Sequence, residues 1–357
     1  MRVVQIIDSL EAGGAERMAV NYANGLADQI SYSGLIATRR EGVLKEQLHP
    51  NVDFICLNRK NTFDFKAILR LRQLLLENKV TVMHVHGSSF FVGILVKLIC
   101  FKVKLIWHDH YGDRIKNSLS NNGYLKIASL FFDGVIACND ELLQWARKNL
   151  FCQPIIYLPN FTVFNSGMKG STLLKGEAGK RIVCLSNLRA PKNHRILLEG
   201  FRDSKVFEKG WTLHLVGKEM NDGYSNDVRQ FITKNNLEEV VFLYGVRNDV
   251  HTILAQASIG VLASTFEGFP VVLLEYGQAQ LAVISTNVGQ CPEIIIEGVN
   301  GLLFDPEQPE QLATLLVGLA ENETSRIFYS SNLKSYVYEN FSSVKIIEKA
   351  LDFYQSV

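Results

Sequence analysis

Very little separates the 37 lysines and arginines of this chain from its 36 aspartates and glutamates. A net charge of +1 over 357 residues excludes a chain-wide grip on nucleic acid, which needs a surplus of cations. Cysteine is scarce and scattered: Cys56, Cys100, Cys138, Cys152, Cys184 and Cys291 form no CxxC and no framework spacing. That argues against a disulfide scaffold and leaves reduced core thiols in a cytosolic protein. Long apolar runs are missing too. The longest, "SSFFVGILVKLICF", is broken by Lys97 and falls short of the roughly 20 residues a membrane helix needs. At the start, "MRVVQIIDSLEAGGAER" holds an apolar run too short for a signal peptide and followed by acid. The expectation is a cytoplasmic protein, at most peripheral on the inner face of the cell membrane. No fixed-period repeat and no low-complexity tract occurs.

The charge that is present is unevenly placed. Residues 1–165 hold 19 Lys and Arg against 14 Asp and Glu, a balance of +5; residues 166–357 hold 18 against 22, a balance of −4. Different partners for the two halves are implied. Lys97, Lys102 and Lys104, around the apolar run, are candidate contacts for an anionic membrane surface.

The 47% hydrophobic content is ample for a core, and the length favours two domains. Short β-branched runs alternate with helical patterns. "RVVQII", "SGLIAT", "VDFICL", "TVMHVH", "KLIWHD" and "GVIACN" read as strands of a first sheet, with helices at 15–27, 64–78 and 139–149. "RIVCLS", "WTLHLVG", "VVFLYG", "SIGVLAS", "LAVIST" and "GLLF" begin the pattern again. Strand–helix alternation implies parallel sheets covered on both faces, hence an α/β protein with two Rossmann-like domains. The stretch 160–180, rich in Gly, Ser, Asn and Lys, reads as a linker. We therefore expect an N-terminal domain at 1–165, a C-terminal domain at 166–338, and a tail at 339–357 whose helix packs back on the first domain.

Ligands of such sheets bind beyond the carboxyl ends of the strands, so those loops carry the candidate site. In "DSLEAGGAER", Gly13 and Gly14 allow a tight turn into a helix whose free N–H groups suit a phosphate or sugar. The spacing is not GxGxxG, which argues against a dinucleotide fingerprint. "HVHG" (His84, His86) and "HDH" (His108, His110) end two strands; residues i and i+2 share a face, so each pair converges. HxH also suits a metal, although no third acidic or cysteine cluster accompanies it. In "LSNLRAPKNH", Arg189 and Lys192 sit at a strand–helix junction that favours an anion.

"STFEGFPVVLLEYGQ" poses a sharper question, with Glu267 and Glu275 set eight apart in a run that otherwise reads as core. Pro270 suits a first helical position. A helical side chain leans toward the helix start, which aims Glu275 at Glu267 and at the N–H groups of Gly268 to Val271. Hydroxyl acceptors beside phosphate donors describe a sugar-nucleotide site.

This stretch resembles the EX7E signature of the retaining glycosyltransferases of family 4 (glycosyl transferases group 1), and the other motifs agree in order. "GGAER" resembles the family's glycine loop, "KLIWHDHYG" the strand ending in an active-site histidine, and "LSNLRAPKNH" its phosphate loop. "VGQCPEIIIEGVNGLLF" resembles the segment after the EX7E helix. The resemblance implies a GT-B fold, two Rossmann-like domains facing a central cleft, and a hexosyl- or N-acetylhexosaminyl-transferase. The donor would be a nucleotide sugar, with UDP the expected nucleotide. The acceptor would be a glycan or polyprenyl-linked hydroxyl in cell-surface polysaccharide synthesis. No metal or other cofactor and no nucleic acid is implied. Glu267 would meet donor sugar hydroxyls, Glu275 the ribose, and Lys192 the diphosphate. Gly268, Phe269, Pro270 and Val271 would border sugar and phosphates, with Gly14 and Asn187 also at the donor. His108, nearer the strand than His110, is matched to the family's histidine. Gly13, His86 and His110 would contact acceptor or sugar. One departure is plain: where the family commonly reads Gly-Arg-Leu, this chain has Ser186-Asn187-Leu188, with Arg189 as the neighbouring cation. Three rivals stand beside this reading: a sugar-nucleotide epimerase of the same fold, a metal hydrolase using the HxH pairs, and a silent binding module.

Overall fold

The computed structural model describes residues 1–111, 119–163, 170–220 and 222–357. Its chain divides into two compact units, one of Met1–Val163 with Phe341–Val357, the other of Phe164–Asn340. The expected boundary at 165/166, part of the linker, and Gly112 of the "KLIWHDHYG" motif lie outside the described residues.

The first unit is built on a seven-stranded parallel sheet: β1 (Arg2–Ser9), β2 (Tyr32–Arg40), β3 (Val52–Cys56), β4 (Val82–His86), β5 (Lys104–Asp109), β6 (Gly134–Ala137) and β7 (Ile155–Tyr157). Their spatial order is β3-β2-β1-β4-β5-β6-β7. Six of these strands are the apolar runs read above; β7 is an addition. Helices Gly14–Leu26, Phe65–Glu77 and Asp140–Asn149 cover the sheet within a residue of the expected spans. Asp64 and Asn139 cap the latter two with side-chain oxygens. The last helix, Ser343–Ser356, belongs to this unit and lays Ile347 against Gly25 and Phe353 against Gly134. A methyl group on either glycine would stand under 3 Å from those side chains, so the missing Cβ is what admits the helix.

The second unit holds β8 (Arg181–Leu185), β9 (Thr212–Val216), β10 (Val241–Leu243), β11 (Ile259–Leu262), β12 (Ala282–Thr286) and β13 (Leu302–Phe304), ordered β10-β9-β8-β11-β12-β13 and all parallel. Leu197, Phe201, Trp211, Leu213, Ile259 and Leu316 are part of its core. Two Rossmann-like parallel sheets confirm the expected α/β class. In each, the order reverses at one place, between β1 and β4 and between β8 and β11. In open parallel sheets the loops leaving the strands diverge at such a point and ligands bind there, so this topology directs attention to those loops. No described helix is long and apolar enough to cross a membrane.

Candidate active site

In the second unit the switch point brings together loops that lie far apart in sequence. After β8, the chain turns through Ser186 and Asn187 against the end of β9. Gly217 makes this possible: a Cβ there would meet the Ser186 oxygen at 2.1 Å. Asn187 Oδ1 accepts the Lys218 N–H at 2.8 Å, and the Leu188 N–H donates to the Lys218 oxygen at 2.9 Å. The Asn187 oxygen expected at the donor is thus used to hold the loop. A short turn, Ala190–Lys192, follows, then Asn193 in the left-handed region (φ 51°), then helix His194–Ser204. Arg189 is exposed, and among the described residues no carboxylate pairs with it.

The loop leaving β11 folds onto this turn, with the Thr265 N–H donating to the Pro191 oxygen at 2.9 Å. Glu267 Oε1 then receives Lys192 Nζ at 2.5 Å and Ser264 Oγ at 2.6 Å. The two charged side chains are 16% and 10% exposed, so the pair is shielded but not sealed. Gly289, at φ +50°, lies against the Glu267 backbone, where a Cβ would overlap the carbonyl oxygen at 1.8 Å. Only glycine fits there, and it fixes the height of Glu267.

Helix Val271–Gln278 follows, with Pro270 as its N-cap rather than its first residue, one place earlier than expected. Phe269, Pro270 and Val271 are buried, and Gly268 is half-buried. Glu275 is buried in the middle of this helix, 8% exposed. The neighbouring Tyr276 hydroxyl ties the helix to the sheet, accepting from the Leu185 N–H at 2.8 Å and donating to the Val261 oxygen at 3.3 Å. A cavity of about 680 Å³ beside Tyr244, Arg247 and Asp249 takes in none of these residues.

In the first unit, Gly13 and Gly14 are exposed at the start of the first helix, and Gly14 has open space where a side chain would be. The Glu16 carboxylate lies over Gly13. The helix end read as open to a phosphate therefore already faces an anion of its own, in the first turn where a carboxylate is favoured.

The four histidines form a ladder on adjacent strands, with His86 of β4 in register with His108 of β5. His84 Nε2 and His108 Nδ1 are 3.1 Å apart with rings only 6° from parallel, an edge-to-edge hydrogen bond. His86 Nδ1 and His110 Nε2 repeat it at 2.9 Å and 12°. The two rungs stack, His84 on His86 at 4.4 Å and His108 on His110 at 4.0 Å between centroids. An outer partner closes one end of each rung: the Tyr354 hydroxyl at 2.7 Å from His84 Nδ1, and Gln5 Oε1 at 2.8 Å from His86 Nε2. Burial, reinforced by the neighbouring rings, holds His84, His86 and His108 well below the usual histidine pKa, and burial pushes His110 down to about 3. All four are neutral near pH 7.

This arrangement places the expected histidines differently from one another. His108 is 0% exposed with its ring inside the ladder, whereas His110, just beyond β5 and half-buried, is the ring at the strand end. His86, also fully enclosed, has both nitrogens engaged, by His110 and Gln5. His84, His86 and His108 offer nitrogens within 4.8 Å of one another, a spacing compatible with a metal. However, coplanar rings whose nitrogens face each other have the geometry of N–H···N bonds, whereas metal ligands aim lone pairs at a common third point.

Several partners escaped the sequence reading. Gln5 and Tyr354 sit in apolar runs with no local mark. Ser264 stands three residues before Glu267, and Gly289 in "NVGQ" carried only a turn signal.

Two family models settle the kinship. Glycosyltransferase Family 4 matches residues 12–162, and Glycosyl transferases group 1 matches residues 179–322. The chain belongs to glycosyltransferase family 4. It is an enzyme of the glycosyltransferase class with the GT-B fold. Among family 4 relatives, it is 24% identical to the Escherichia coli UDP-Gal:alpha-D-GlcNAc-diphosphoundecaprenol alpha-1,3-galactosyltransferase, over 85% of this chain and 82% of that one. It is also 24% identical to the Bacillus anthracis N-acetyl-alpha-D-glucosaminyl L-malate synthase, over 87% and 86%. Anabaena HepE, solved in complex with UDP and glucose, superposes over the full length of both chains with a TM-score of 0.83 at 19% identity, a likeness of fold.

Proposed function

We propose that this family 4 enzyme transfers a sugar from a UDP-linked donor to a hydroxyl of a polyprenyl-linked or glycan acceptor, retaining anomeric configuration, in building a cell-surface polysaccharide. The Lys192–Glu267 pair at the second sheet's switch point carries the reading. A donor diphosphate competes with Glu267 for Lys192, with exposed Arg189 as a second cation. Once Lys192 turns to phosphate, Glu267 keeps Ser264 and offers its oxygens to sugar hydroxyls. Glu275 serves the ribose, and the N–H groups at the start of helix Val271–Gln278 add positive potential for the leaving group.

The bond between the anomeric carbon and the β-phosphate oxygen breaks, and a bond to the acceptor oxygen forms on the same face. The acceptor proton passes to the departing phosphate oxygen. No protein nucleophile and no divalent cation is needed, because fixed cations and a helix end neutralise the diphosphate. In the first unit, His110 presents its ring to a substrate hydroxyl. The UDP donor and polyprenyl diphosphate acceptor in the E. coli relative's name support this choice of substrates.

A polyprenyl-linked acceptor implies work at an anionic membrane surface, and the first unit has a face suited to it. Helix Phe65–Glu77 exposes Phe65, Leu69 and Leu76 beside Lys66, Arg70 and Arg72. Phe63 packs on Phe91, and the adjoining Leu98 and Phe101 are exposed with Lys102. Lys97 and Lys104, expected in this role, are drawn to Asp133 instead, at 2.7 and 3.8 Å, and Lys97 also donates to the Val103 oxygen. Turnover of a panel of UDP-, GDP- and ADP-sugars with polyprenyl-diphosphate-linked acceptors, with and without EDTA, tests the reading. UDP release that requires acceptor and survives chelator is expected; dependence on an added divalent ion would overturn the metal-free mechanism.

A further inference from the structure

The lower rung of the histidine ladder has a direction. Gln5 presents its side-chain oxygen, which can only accept, to His86 Nε2, so that nitrogen carries the hydrogen. A neutral His86 then has a bare Nδ1, which must receive its hydrogen from His110 Nε2. A neutral His110 with hydrogen on Nε2 is left with a bare Nδ1. That nitrogen is buried and has no hydrogen-bond partner among the described residues, and the same holds for Nε2 of His108 and Nε2 of Gln5. The upper rung starts from Tyr354 and ends inside the core at His108, whereas the lower rung ends at the half-buried strand terminus.

We propose that Gln5 and His86 are positioning residues, which fix His110 in the Nε2–H tautomer and so keep its Nδ1 as a hydrogen-bond acceptor for a substrate hydroxyl. Gln5 reaches His86 from β1, His86 sits on β4, and His110 follows β5, so the relay crosses the sheet at its switch point. An acceptor nitrogen suits a sugar or acceptor hydroxyl, which can donate, and disfavours a carbonyl or phosphate oxygen, which cannot. A neutral, tautomer-locked ring needs no reorientation when substrate arrives. Neither Gln5 nor His86 touches substrate in this scheme. The role of His110 toward substrate rests on the function proposed above; the tautomer does not.

Two-bond ¹H–¹⁵N correlation spectra of the full-length protein labelled with [¹⁵N]histidine, at pH 7.5, read each ring's tautomer directly. His86→Asn and His110→Asn variants assign the signals. The wild type is expected to show both rings neutral with hydrogen on Nε2. Gln5→Leu should release the bias, shifting the His110 tautomer ratio about fivefold, the worth of one lost neutral hydrogen bond. Gln5→Glu, which still accepts from His86, should restore the pattern. Turnover of the UDP-sugar selected by the donor panel should fall by a similar factor in Gln5→Leu and recover in Gln5→Glu. A wild-type His110 carrying its hydrogen on Nδ1, or charged, overturns the proposal, as does a His110 spectrum indifferent to Gln5→Leu. Spectra that follow the expectation while turnover stays constant uphold the relay and overturn only the substrate-facing role of His110.

Discussion

The polar centres of the two units solve the same topological problem in opposite ways. Each lies where a parallel sheet reverses its order. In the first unit the groups are neutral, and each rung is closed at one end by a neighbouring side chain, Gln5 or Tyr354. In the second, Lys192 and Glu267 are charged, partly open and matched to each other, with exposed Arg189 beside them. Neutral rings enclosed in a ladder have little reason to exchange partners. A cation held by one carboxylate in a partly wet loop can exchange that carboxylate for a phosphate at modest cost, since the pair was never fully desolvated. The ladder therefore holds shape, and the ion pair is the part that responds to ligand.

Acid is the strongest way to pull this comparison apart. His84, His86, His108 and His110 in the first unit and His194 and His214 in the second all have lowered folded-state values, the last two about 4 through burial. Such a ring stays bare in the folded state but takes up a proton when unfolded once pH drops below about 6.5. Stability therefore falls as pH falls from about 6.5 toward the folded value, by up to about 1.4 kcal/mol per ring per pH unit. Four rings against two means the first unit should lose stability faster between pH 6.5 and 5, before most carboxylates titrate. Hydrogen exchange followed by mass spectrometry should show β4 and β5 losing protection ahead of β8 and β11. Parallel losses in the two units would contradict the enclosed, neutral ladder.

Dividing the ion pair should give opposite results for its halves. Glu267→Ala removes the competitor for Lys192, so UDP affinity should hold or rise while turnover falls roughly 100- to 1,000-fold, the scale of a lost transition-state contact. Lys192→Ala should weaken UDP about tenfold to a hundredfold, as expected for a hydrogen bond to a charged group. Uridine, which lacks phosphate, should bind both variants like wild type. Calorimetric titrations with UDP and uridine check this, and equal losses of both ligands in Lys192→Ala would make the lysine structural.

How much of this could be read from the sequence depends on whether the deciding contact is local. Strands such as "RVVQII" and "KLIWHD" declare themselves because both sheet faces are buried and the run is continuous. β7 did not, since three residues between Pro154 and Pro159 carry no period to count. The HxH pairs were visible on each strand, but their edge-to-edge pairing needs β4 beside β5 in the observed register. That register also decides that His108 is inside and His110 at the end. Glu267 was legible from its motif, whereas its 75-residue leap to Lys192 was not. Glu16 stands three residues after Gly13 in the sequence, but only the fold shows its carboxylate lying over that glycine at the helix end.

The smallest expected effect concerns where the first unit puts its charge, outside rather than at the switch point. Among residues 59–104, nine are Lys or Arg and two are Asp or Glu, and the exposed aromatics lie in the same region; Phe65 and Phe101 are 72% and 74% exposed. Near an anionic leaflet each cation contributes on the order of 1 kcal/mol, fading over a Debye length of about 10 Å at 0.1 M salt. Exposed cations should matter and inward-turned ones should not. Sedimentation with phosphatidylglycerol-containing vesicles at low salt should therefore weaken when Lys66, Arg70 and Lys102 become Gln. It should weaken again when Phe65 and Phe101 become Ser, and that second loss should persist at high salt because it is apolar. Lys97→Gln should leave vesicle binding unchanged but lower thermal stability, since Asp133 loses its close partner while the Lys104 contact at 3.8 Å remains. Binding that depends on Lys97 as strongly as on Lys102 would mean that this face does not meet the membrane as the exposed residues suggest. Equal binding to neutral and anionic vesicles would remove the electrostatic part altogether.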